Sequence, residues 1–195
     1  TYQGKGNFEK GLRAAEQALA LDGASRPAGV LMGEALLGLK EYLQAVETFE
    51  KAAVPKPKED RPESLWSEEK EVNEEEMRAE ARDRAWRSRA FRGLGRTFAA
   101  IDENEKAVEA YREGLGLNPR EPGLLIGLAR VLVTVGNYEE AMIMAGRVLK
   151  ERPEPEAYYL LGRAQEGAGA AGPAAETYRK FLKIAPKNPR ADEVR

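Results

Sequence analysis

Between Arg120 and Pro153 the apolar positions fall into two helical stripes separated by a break. Leu125, Leu128, Ala129 and Leu132 recur at three- and four-residue spacing, Gly136-Asn137 interrupts them, and Tyr138, Ala141, Ala145 and Val148 resume a similar spacing. This pattern predicts two amphipathic helices joined by a tight turn. Each helix has only about three to four turns, near the length below which an isolated helix melts in water, so each needs a neighbour.

Neighbours of the same design stand on both sides. Gly95, Ala129 and Gly162 occupy matching places, as do Ala107, Ala141 and Ala174, and Pro119, Pro153 and Pro186; each series steps by 34 and then 33 residues. Three series holding one register signal a solenoid, whose units bury their apolar faces by stacking.

These residues resemble the tetratricopeptide repeat family. One copy of the family pattern reads Phe91, Leu94-Gly95, Phe98, Ala107, Tyr111, Leu115 and Pro119; another reads Tyr158, Leu161-Gly162, Ala174, Tyr178, Leu182 and Pro186. The resemblance implies an all-α fold, a right-handed α-solenoid of antiparallel helix pairs. Its departure from the pattern is a long insertion before the third unit.

Taken in order, the chain enters the pattern halfway. Gly6-Asn7-Phe8 matches the turn before a second helix, and Leu12, Ala15, Ala18 and Leu19 continue it to Asp22-Gly23, so the first unit lacks most of its first helix. A complete second unit spans about Arg26 to Ala53, with its turn at Lys40-Glu41-Tyr42. Then the period breaks: Pro55, Pro57 and Pro62 favour an extended linker. Asn73 followed by Glu76 has helix-start spacing, and nothing interrupts the chain until Asp102-Glu103-Asn104, which predicts one helix from about Glu74 to Ala100. The organisation read from this is residues 1–53, units 1 (partial) and 2; 54–73, a Pro-rich and acidic insertion; 74–186, units 3 to 5 with an extended first helix; and 187–195, the start of a truncated further helix.

Charge is segregated across the insertion. Glu63, Glu68, Glu69, Glu71 and Glu74 to Glu76 precede Arg78, Arg82, Arg84, Arg87, Arg89, Arg92 and Arg96. Glu74 with Arg78, Glu80 with Arg84, and Asp83 with Arg87 have the i, i+4 order that supports an exposed helix. The insertion is also open to a docking role, and its acidic run to masking a basic groove elsewhere in the chain, against the plainer reading of a projecting helix.

Composition narrows the chemistry. The chain has 31 basic and 33 acidic residues, no cysteine and no histidine, which removes disulfides, zinc-thiolate sites and the usual general base near neutral pH. No catalytic constellation is visible, and the expectation is a non-enzymatic protein with no cofactor or metal. The near balance of charge argues against nucleic acid, and no apolar run is long enough for direct membrane insertion. Residues 167–172, GAGAAG, match a dinucleotide fingerprint literally, but a helix rather than a strand precedes them. The expected location is cytoplasmic; a lost signal sequence would make it periplasmic or secretory.

A second stripe runs along the other face of the first helices. Arg92, Arg96 and Ala99 fall at i, i+4 and i+7; Ile126, Arg130 and Val133 repeat this, and Tyr159, Arg163 and Glu166 repeat it again. In tetratricopeptide proteins this face lines the concave groove that receives peptides. The resemblance therefore implies a groove formed by Arg92, Arg96, Ile126, Arg130, Val133, Tyr159 and Arg163, its arginines suited to carboxylates. A solvated helix face is the plainer account of the same residues. The reading is a protein-interaction scaffold that binds an acidic or C-terminal peptide segment. Alternatives are a regulatory segment of a larger enzyme or signalling protein, and a scaffold that self-associates.

Overall fold

The computed structural model describes residues 2–55 and 74–195. In chain order they form α1 (Tyr2–Leu21), α2 (Arg26–Leu39), α3 (Tyr42–Ala53), α4 (Glu74–Ala100), α5 (Asn104–Leu117), α6 (Pro122–Thr134), α7 (Tyr138–Glu151), α8 (Pro155–Gly167), α9 (Ala171–Ile184) and a 3-10 helix at Pro189–Val194. Among the described residues there is no strand. The chain divides into two compact units, Thr1–Leu94 and Gly95–Arg195, with the border inside α4. In the first, α1 packs on α2 and α2 on α3; in the second, each helix from α5 to α9 packs on the next, and α6 also packs on α8. The contact between successive first helices marks an α-solenoid of stacked helix pairs.

Turns close the pairs by one device. A residue one or two positions after the first helix takes a left-handed backbone: Lys40 at φ 65°, Asp102 at φ 62°, Gly136 at φ 80° and Gly169 at φ 78°. That conformation lets backbone N–H groups return to the helix end: Lys40 N to Leu37 O, and Asn137 N to Leu132 O. GAGAAG is one of these turns, spanning the end of α8 and the start of α9. Pro119, Pro153 and Pro186 each lie two residues beyond the end of a second helix, at Leu117, Glu151 and Ile184.

Aromatic rings seated on glycine set the spacing between helices. A Cβ on Gly33 would lie 2.6 Å from the Phe49 ring, and one on Gly93 closer still, so the ring is held between α2 and α4. Tyr111 is held in the same way between Gly95 and Gly127, a Cβ on Gly95 falling 2.8 Å from its ring. At the α7–α8 junction the sizes at the equivalent repeat positions are exchanged: Ala145 stands where Tyr111 does and Leu160 where Gly127 does, and both are buried in one core cluster. The small residues at Gly95 and Gly127 are thus explained by a ring rather than by the bare approach of two backbones.

Two expectations change. Gly6-Asn7 does not form a turn; α1 is continuous through it from Tyr2 to Leu21. In α4, Glu74 pairs with Arg78 at 2.9 Å as expected, but Asp83 turns to Arg26 at 3.1 Å. Arg87 donates instead to the Ala53 carbonyl at 3.0 Å, and Arg89 forms a two-pronged pair with Glu34 at 2.9 and 2.7 Å. Arg26, buried, also donates to the carbonyls of Ala52 and Val54 at 2.8 and 2.7 Å. Arg26 and Arg87 satisfy the carbonyls left open at the end of α3, and with Arg89 they hold the first part of α4 against α2 and α3 within the first unit. Residues 56–73 lie outside the described residues, and with them Asn73, most of the Pro-rich insertion, and Glu68, Glu69 and Glu71 of the acidic run on which the masking reading rests.

Candidate functional site

The second stripe lies mainly in the second unit. Pro122 and Pro155 each stand in the first turn of α6 and α8, so the two helices start in equivalent places and present equivalent residues. Arg96 on α4, Arg130 on α6 and Arg163 on α8 are all exposed. Ile126 and Val133 are half-buried, packed against the cluster that contains Tyr159, Leu160 and Phe181. Arg92 belongs to the first unit, where it lies 3.8 Å from Glu34.

The arginines differ in what they meet. Arg96 forms no ion pair with a described residue. Arg130 donates to Glu156 at 3.0 Å, and Arg190 of the 3-10 helix donates to the same carboxylate. Burial alone would raise the Glu156 pKa, but the hydrogen bonds from Arg190 and Arg130 outweigh it and hold the carboxyl below its ordinary value. Arg163 Nη1 donates to the Tyr159 hydroxyl at 2.9 Å, and its Nε lies 3.9 Å from Glu166.

Tyr159 is only 6% exposed, so it is less a rung open to solvent than a buried ring with a polar tip. Its ring tilts against Phe181 at 5.9 Å, and the Arg190 guanidinium stands 4.6 Å from its centre. Its hydroxyl donates to Glu193 Oε2 at 2.8 Å. Burial and the adjacent Glu193 push the phenol pKa up, against the opposing pull of Arg163.

A cleft of about 920 Å³ opens beside this network, walled by Val133, Tyr138, Tyr178 and Leu182 and edged by Arg163, Arg179, Glu166 and Glu193. Among the described residues no cluster of three or more potential metal ligands occurs, and no helix is long and apolar enough to cross a membrane.

The structure therefore joins Ile126, Arg130, Val133, Tyr159 and Arg163 through α6 and α8. Glu156, Arg190 and Glu193 were not among the residues singled out from sequence. Glu156 is matched one unit earlier by Gly123, so a search for recurring residue types passes over it. Glu193 was within reach: it follows Tyr159 by 34 residues, as Tyr159 follows Ile126 by 33.

Three family models, each described as tetratricopeptide repeat, match residues 1–60, 102–165 and 155–188. Among solved structures, MamA superposes with a TM-score of 0.69 at 21% identity, covering 94% of this chain and 91% of that one. YrrB, described as a TPR protein with an unusual peptide-binding site, superposes with a TM-score of 0.65 at 19% identity, covering 96% and 83%. At these identities the likeness concerns the fold. A curated relative, the protein O-mannosyl-transferase TMTC1 of Mus musculus, is 30% identical over an alignment covering 50% of this chain and 14% of that protein. The chain thus spans about 14% of that relative's length.

Proposed function

The chain belongs to the tetratricopeptide repeat family, a protein-interaction scaffold by fold, and on that basis we propose that its second unit binds an acidic peptide segment of a partner protein. The observation that carries this reading is the recurrence of exposed Arg96, Arg130 and Arg163 at one repeat position on α4, α6 and α8. Ile126 and Val133 beside them supply partly buried apolar footing. Guanidinium groups recognise carboxylates through paired, charge-assisted hydrogen bonds, while the apolar footing anchors a neighbouring side chain. Peptide capture is the property named for YrrB, and under this reading the present chain shares it. The chemistry is binding rather than catalysis.

Selection of a random displayed peptide library tests it. Peptides retained by the protein should be enriched in Asp, Glu or a free C-terminus beside an apolar residue. Reversing Arg96, Arg130 and Arg163 to Glu should weaken them about tenfold or more, about 1.4 kcal/mol. Selected peptides without acids, or affinities indifferent to the reversal, would overturn it. A second reading, a repeat segment inside a larger polypeptide, is favoured by the 14% coverage of the mannosyl-transferase relative. An immunoblot of the source cells checks it: a band far above 21.5 kDa supports that reading, and one at this mass removes it.

A further inference from the structure

Glu193 sits at the next step of the groove stripe, after Ile126 and Tyr159, and the chain folds it back onto the groove. Its carboxylate accepts from the Tyr159 hydroxyl at 2.8 Å, and that hydroxyl accepts from Arg163 Nη1 at 2.9 Å. Arg190 covers the face of the same ring at 4.6 Å. The contact therefore shows how this surface holds a carboxylate: an O–H donor polarised from behind by one guanidinium and flanked by a second.

The turn carrying Glu193 does not depend on that contact for its place. Ala191 is 2% exposed in the core cluster, Arg190 is tied to Glu156, and Arg195 donates to the Pro186 carbonyl at 3.0 Å. Glu193 itself is exposed. Its side chain can leave the tyrosine while the turn stays anchored.

We propose that Tyr159, backed by Arg163 and flanked by Arg190, is the carboxylate subsite of the groove, and that Glu193 occupies it until an Asp or Glu side chain of the partner takes its place. The assignment rests on the reading of this face as a peptide groove and adds its chemistry: the ligand atom is a side-chain carboxylate, and the chain carries its own competitor. A tethered competitor acts at an effective concentration in the millimolar range, so one hydrogen-bonded carboxylate suffices to hold the site closed against weak ligands. The apparent affinity then falls by the fraction of molecules left open.

The test uses the full chain and one probe, the peptide of residues 189–195 acetylated and amidated so that its carboxylates are all on side chains. Titration calorimetry compares the wild type with Glu193→Gln, whose turn is checked by circular dichroism. For a subsite about 90% self-occupied, Glu193→Gln should bind the probe roughly tenfold more tightly. The gain should vanish in the doubles carrying Tyr159→Phe or Arg163→Gln, and with a probe bearing Gln at the position of Glu193. Arg163→Gln serves where the buried tyrosine change unsettles the fold. Equal binding by wild type and Glu193→Gln, or a gain that survives both doubles, overturns the subsite while leaving the groove intact. If Glu193→Gln binds neither this probe nor any library peptide bearing acids, the groove reading itself fails.

Discussion

A tyrosine ring lying flat on two glycines leaves no room for even one added carbon. Gly127 is the sharper case of the two around Tyr111, since a Cβ there meets the ring and its hydroxyl oxygen within van der Waals distance. Gly127→Ala and Gly95→Leu should each destabilise the second unit by roughly 1 to 3 kcal/mol, because the ring must shift against a closed core. Thermal unfolding followed by circular dichroism reads the loss directly. Recovery of stability when Tyr111→Leu is added to Gly127→Ala would locate the cost in this contact; no recovery would place it elsewhere. The smallness of Gly95 and Ala129 was legible as a step in the repeat, but its cause was not. Spacing reveals which positions face inward and leaves open whether a ring or a backbone arrives there.

For the helices, the turn residues decide how sharply each pair closes. Lys40 and Asp102 take the left-handed conformation that costs a side-chain-bearing residue about 1 to 2 kcal/mol and glycine almost nothing. Allowing for the greater entropy glycine brings to the unfolded chain, Lys40→Gly and Asp102→Gly should each stabilise by about 0.5 to 1 kcal/mol. Gly136→Ala should destabilise by a similar amount, and denaturant midpoints at unchanged slope measure all three. Helix extents were readable where stripe and stop signal coincide. The span from Glu74 to Ala100 and the three Pro-marked ends show this. The reading failed at Gly6-Asn7, where α1 runs through turn-like residues without a break. It also missed which partner each α4 charge chooses, because Arg26 and the open carbonyls of α3 come from distant sequence.

Across the whole molecule, charge is nearly balanced in sum but strongly organised in place. Glu156, held below its ordinary pKa by Arg190 and Arg130, contributes stability that is present above its unfolded value near 4.3 and is lost as pH falls through its folded value. Melting temperature should therefore drop on acidification below about pH 4.3, and less steeply in Glu156→Gln. Identical profiles for the two proteins would count against the linkage. Peptide affinity should also fall between low and high salt, since exposed charge pairs are screened over about 10 Å at 0.1 M. The stripe of Arg96, Arg130 and Arg163 was visible from recurrence alone. Glu156 was not, for it recurs with nothing of its own kind, and Glu193 could be reached only through its register with Tyr159.

The seating of rings on glycines has a bearing on how such a chain can be shuffled. Phe49 with Gly93 and Tyr111 with Gly127 are joints of a large knob on a bare surface, whereas Ala145 with Leu160 reverses the sizes. A recombinant that placed α8 directly after α5 would drive Leu160 into Tyr111; one that placed α6 after α7 would leave a hole over Ala145. The repeats look interchangeable in length and register, yet each junction accepts only a successor of matching gender. The order of units is thus written into the packing itself, and duplication of this array is viable only where a cut falls between joints of the same kind.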